Sequence, residues 1–93
     1  MINKNILNIR KKLDKLDNSF LKLIKKRTIL IDEVIRNKKF KKDIVDKKRI
    51  ALILRKIKRK SISKKIDPKI TNVIWSSMIR AYIAYEYRNF RKK

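Results

Sequence analysis

Residues 6–38, ILNIRKKLDKLDNSFLKLIKKRTILIDEVIRNK, decide how the chain folds. Ile6, Ile9, Leu13, Leu16, Phe20, Leu23, Arg27, Leu30 and Val34 recur at alternating spacings of three and four. That is a heptad stripe, the pattern of one long helix packed along its length. Arg27 is the odd member. Its helical neighbours at three and four residues, Leu23, Ile24, Leu30 and Ile31, are all apolar. A guanidinium at such a position either meets water or meets an anion that comes to it, because burying an unpaired charge is costly. We read it as a site for an incoming anion.

Working outward, Asn3 or Asn5 is placed to cap this helix. Arg10 lies just off the stripe, with Asp14 and Asp17 one and two turns on. A surface ion pair is its plain reading. Arg10 and Arg27 stand about 25 Å apart along the axis and about 100° apart around it, so one helix cannot direct both at one site. In an antiparallel pair of chains, Arg10 of one could reach Arg27 of the other. Lys38 follows Arg27 by eleven residues and points within about 20° of the same direction; alone, it would be an end-of-helix lysine favoured by the dipole.

The rest of the chain is two shorter helices. Residues 37–43 read as a loop. Asp46 looks like an N-cap for a second helix whose apolar face is Ile50, Ile53, Leu54 and Ile57. Arg49 falls in its first turn, where a cation wants a partner, either Asp46 or an incoming carboxylate. Residues 58–65, KRKSISKK, read as a solvated linker. Asp67-Pro68 is a strong start for a third helix running to about Phe90. Along it Ile70, Ile74, Met78, Ala81 and Tyr85 form one stripe, and Trp75, Ile79, Tyr82 and Glu86 a second. Glu86 has no basic residue at three or four positions to either side, which makes it a frayed surface group or a functional acid.

Composition limits the chemistry. The 93 residues predict one domain, 1–93, near the size where a single core is only modestly stabilising. The remaining chain is too short to cover the long stripe, so a second copy is expected. The chain contains neither cysteine, histidine nor glycine. This removes thiolate and imidazole chemistry and glycine-built phosphate loops. The longest apolar run is far short of a membrane span, and an intracellular, cytoplasmic protein is expected. A net charge of +22 favours anionic partners. An AT-rich coding bias toward lysine, isoleucine and asparagine competes with that reading.

Taken together, these segments resemble the small all-helical class of chorismate mutase. Its opening helix is similar to IRKKLDKLDNSFLKLIKKRTILIDEVIRNKK, with Arg10, Arg27 and Lys38 at matching spacing. IVDKKRIALILRKI resembles the family's Asp-x-x-Arg-Glu element, giving Asp46 and Arg49, and IDPKITNVIWSSMIRAYIAYEY resembles its last helix, giving Tyr82 and Glu86. The resemblance implies an all-α fold of three helices, one long, one short and one medium, in an intertwined homodimer. Each site is then completed by Arg10 of the other chain. It implies rearrangement of the dicarboxylate chorismate to prephenate, a step in phenylalanine and tyrosine formation that needs no metal or cofactor. Arg10, Arg27 and Arg49 would hold the carboxylates, with Asp46 and Tyr82 at the substrate. Lys38 and a protonated Glu86 would flank the ether oxygen. One departure stands out. Ile50 occupies the position of the family's glutamate, which binds the ring hydroxyl, so a catalytically impaired relative is an alternative. A basic helical nucleic-acid-binding protein is another; no membrane partner is expected.

Overall fold

The computed structural model describes residues 3–90 and is all-helical. It contains helix α1 (Lys4–Asn37), a single 3-10 turn (Lys41–Asp43), helix α2 (Lys47–Ser63) and helix α3 (Pro68–Asn89). No strand occurs among the described residues. The chain divides into two compact units, residues 1–33 and residues 34–93.

The first unit is the bulk of α1. Asn3 caps it, its Oδ1 accepting the Ile6 amide at 2.9 Å, which satisfies one of the amides that a helix start leaves open. The heptad positions are helical as the spacing predicts, and they are exposed. Leu13, Leu16, Phe20 and Leu23 each keep more than half of their surface in contact with solvent, Leu16 as much as 62%. Arg27 is half-buried, unlike the stripe residues before it.

The second unit begins inside the last turn of α1. Here the buried residue is Ile35 rather than its stripe neighbour Val34, which is exposed. The helix closes with the Lys38 amide donating to the carbonyls of both Val34 and Ile35. The connector predicted as a loop contains the 3-10 turn, which tucks Ile44 into the interior, 3% exposed.

Asp46 then caps α2 as expected, accepting the Arg49 amide at 3.0 Å. The linker predicted over 58–65 does not exist as such, because α2 continues to Ser63. Lysine and arginine are good helix formers. The apolar stripe of α2 also extends one turn beyond Ile57 to a serine. Ser61 is buried, its hydroxyl bonded to the Ile57 carbonyl at 2.6 Å and to Thr71 Oγ1 of α3 at 2.7 Å.

The reversal from α2 to α3 is correspondingly tight. Lys65 N donates to Ile62 O and Ile66 N to Ser61 O, the paired bonds that close a helix with a left-handed residue. That residue is Lys65, at φ 59°. A chain without glycine places a side chain there, at a cost of about 1 kcal/mol. Asp67 caps α3 by accepting the Lys69 amide at 2.9 Å, with Pro68 in the first turn. α2 and α3 pack against each other. Of the first expected α3 stripe, Ile70, Ile74 and Ala81 are exposed and Met78 and Tyr85 half-buried; the second, Trp75, Ile79, Tyr82 and Glu86, is half-buried or buried throughout, and Thr71, in neither, is buried.

Candidate active site

In the second unit, the connector after α1 and helix α3 converge on one ion pair. Lys38 stands just after α1, its amide still bonded to the carbonyls of Val34 and Ile35. Its Nζ donates to Glu86 Oε1 of α3 at 3.1 Å and to the carbonyl of Ile44 at 3.3 Å. The Glu86 side chain is 8% exposed and that of Lys38 21%. The connector contributes the cation and a backbone oxygen, and α3 the anion.

This corrects the local reading of Glu86. It is neither frayed nor unpaired: its partner lies 48 residues away in sequence. Local spacing could not expose that partner. The physical signal was present in both residues separately, since each is a charge on an apolar stripe. A buried carboxylate without a cation is strongly disfavoured, and a cation equally stranded elsewhere in a chain this short was the natural complement.

Tyr82 lies one turn before Glu86 on the same helix, half-buried, and its ring meets Tyr85 edge to face at a centroid distance of 6.2 Å. Asp46 and Arg49 open α2. The Asp46 carboxylate is engaged by the backbone amide of Arg49, and Arg49 itself is exposed, its guanidinium available to an incoming group. Ile50 is half-buried, and its amide donates to Asp46 O at 3.0 Å. Its aliphatic side chain offers no acceptor. Arg10 and Arg27 belong to the first unit, Arg10 exposed and Arg27 half-buried.

Sequence reasoning missed the Ser61–Thr71 hydroxyl pair and the Ile44 carbonyl. Ser61 was discoverable, because it sits four residues after Ile57 on the apolar face of α2. The Ile44 carbonyl was not, since a backbone oxygen turned toward a side chain leaves no trace in residue type.

The arrangement can do particular chemistry. A lysine with one carbonyl and one carboxylate partner is held at a fixed point, ready to stabilise negative charge. A carboxyl group beside it can act as hydrogen-bond acceptor when ionised and as donor when protonated. No cluster of three potential metal ligands exists among the described residues. No helix among them is long and apolar enough to cross a membrane.

Comparison with known proteins bears on what this geometry is for. No curated protein and no solved structure matches the chain. A family model does: chorismate mutase type II, over residues 9–87. The match takes in α2 entire, nearly all of α1 and α3, and the Lys38–Glu86 pair. The chain belongs to the chorismate mutase type II family.

Proposed function

We propose that the protein is a chorismate mutase, an isomerase that converts chorismate to prephenate by an intramolecular rearrangement feeding phenylalanine and tyrosine synthesis. The observation that carries the proposal is the convergence of Lys38 and Glu86 at 3.1 Å across 48 residues of sequence. Family membership supports it.

In this reading the enolpyruvyl arm of the substrate is held over the ring by its two carboxylates. Arg27, Arg49 and the second copy's Arg10 bind them, bidentately where geometry allows. Orientation of this kind can supply several kcal/mol of the barrier reduction. As the carbon–oxygen bond breaks, electron density moves onto the ether oxygen while a carbon–carbon bond forms at the far end of the arm. Lys38 meets that oxygen as a fixed cationic donor, and Glu86 donates to it when protonated. A preorganised donor is worth about 3–4 kcal/mol. Lys38 and Glu86 are in direct contact at 3.1 Å, so an ether oxygen must part them to sit between. Tyr82 and the backbone by Asp46 border the substrate. Ile50 cannot accept the ring hydroxyl, so affinity for chorismate is expected to be weak.

The dimer is part of the proposal. Exposed Leu13, Leu16, Phe20 and Leu23 on the first unit form a continuous apolar stripe, and soluble chains cover such stripes. A second copy would do so and bring Arg10 across.

The test is chorismate consumption by the purified protein, followed by ultraviolet absorbance from pH 5 to 8, beside Lys38→Ala and Glu86→Gln. Turnover that Lys38→Ala reduces at least a hundredfold supports the reading. Glu86→Gln places an amide donor at the same point and should keep turnover that Glu86→Ala loses; equal turnover in the two variants would remove Glu86 from the chemistry. A folded dimer without turnover at any pH would leave a family member made inactive by Ile50.

A further inference from the structure

The charge of this protein is not spread evenly over its helices, and the unevenness has a direction. α2 contains eight lysines and arginines in 17 residues and no acidic residue. α3, with 22 residues, contains three basic residues and one acidic. α1 contains ten basic and four acidic residues in 34. A coding bias toward lysine would enrich all three helices. It does not account for a helix from which Asp and Glu are absent beside one of nearly neutral balance.

On α2 the cations also share a face. Ile50, Ile53, Leu54 and Ile57 are half-buried and Ser61 is buried, so this side turns inward. Lys48, Arg55 and Arg59 are exposed, and at about 100° per residue they fall within about 40° of one another on the opposite side. They mark a line about 16 Å long. The patch continues onto the next helix: Arg55, Lys58 and the α3 residue Lys69 border a shallow groove whose other lining includes Leu54, Ile57 and Pro68, with no carboxylate.

We propose that this outer face of α2 binds duplex nucleic acid through its phosphates, without sequence preference. A line of about 16 Å runs beside about five phosphates of one strand, spaced about 3.4 Å along the axis, and five exposed cations, Lys48, Arg55, Lys58, Arg59 and Lys69, are available to it. α2 has no Asn or Gln to pair with adenine; readout of guanine by its arginines would show as unequal binding to the two duplexes of the test below and would overturn the absence of sequence preference. Single strands are the poorer ligand, since α2 contains no aromatic residue on which bases could stack. A protein partner would want a buried aromatic or apolar anchor, and a bilayer a continuous apolar face, whereas the outer side of α2 has a single large exposed apolar side chain, Ile62, among its cations. This surface is separate from Lys38 and Glu86 and does not depend on the mutase reading.

The test uses the full chain and fluorescence anisotropy of labelled 20-base-pair duplexes of two unrelated sequences, across 50–200 mM KCl. With five phosphates neutralised, log K should fall against log salt with slope about −4.5, a loss of about 500-fold across that range. The triple variant Lys48→Gln/Arg55→Gln/Arg59→Gln should reduce the slope by about 3, and Arg59→Gln alone by about 1. The triple variant Lys11→Gln/Lys12→Gln/Lys15→Gln removes the same charge from α1 and should keep the slope within about 1 of the parent. Circular dichroism checks that each variant is folded. Chorismate turnover, where the parent has it, should survive in the α2 variant. Equal weakening by the two triples would show diffuse charge and overturn the assignment. So would a parental slope shallower than about −2, tighter binding to single strands, or equally tight binding to phosphatidylserine vesicles lost in the same variant.

Discussion

The first 33 residues and the remaining 60 solve the same problem in different ways. Both have apolar periodicity. In the second unit α2 and α3 turn their stripes toward each other, and the interior they make includes Ile35, Ile44, the Ser61–Thr71 hydroxyl pair and Glu86. The first unit has an equally regular stripe, and its members are more than half exposed from Leu13 to Leu23. The difference teaches that periodicity specifies a helix and a face, but not the partner of that face. The second unit finds its partner within the chain. The first unit, on the proposal made above, finds it in another copy.

The largest effect expected from this contrast follows a charge placed in the exposed stripe. Leu16→Asp should be harmless if solvent is the true neighbour, and should cost about 3–5 kcal/mol and the dimer if a second copy covers it. Sedimentation and urea unfolding of the parent and variant decide between these; an unaltered midpoint and an unaltered mass would end the dimer proposal.

Next in size is the ion pair of the second unit. Lys38→Met strands the Glu86 carboxylate and should cost about 2–4 kcal/mol, somewhat below a fully buried pair because Lys38 is 21% exposed. Adding Glu86→Gln removes the stranded charge, so the double variant should recover at least half of the loss. Strict additivity would show that the pair is not coupled.

Smaller effects test the ends of the helices. Asp67→Ala deletes the acceptor of the Lys69 amide and should lower stability by about 1 kcal/mol. Lys65→Gly should act in the opposite direction, raising stability by about 0.5–1 kcal/mol, because glycine tolerates φ 59°. Thermal unfolding resolves both, and a destabilised Lys65→Gly would contradict the account of the reversal.

Much of this was legible in the residues. Asp46 and Asp67 act as caps because a short acceptor before an apolar-periodic run has few other uses, and both helices begin where those residues place them. Arg27 and Lys38 stood out as cations on an apolar line, and Lys38 is where that anomaly has its cause. The failures share one origin. Residues 58–65 have the polarity of a linker, but the helix propensity of their lysines and arginines and the place of Ser61 on the apolar face outweigh it. Ile35 rather than Val34 is buried, and Glu86 has a partner, because tertiary neighbours set these outcomes. Spacing within four residues contains no information about a contact across 48.

The central claim joins the two regions: the second unit holds Lys38 and Glu86, and the first unit of another copy completes their site with Arg10. Complementation tests it most directly. Arg10→Ala and Lys38→Ala chains, each inactive alone, are unfolded, mixed in equal amounts and refolded together, and chorismate consumption is measured. A shared site predicts recovery to about a quarter of parental activity, since half of the dimers are mixed and one of their two sites is intact. No recovery, from mixtures in which mixed dimers form and beside a parent that refolds to full activity, would contradict it.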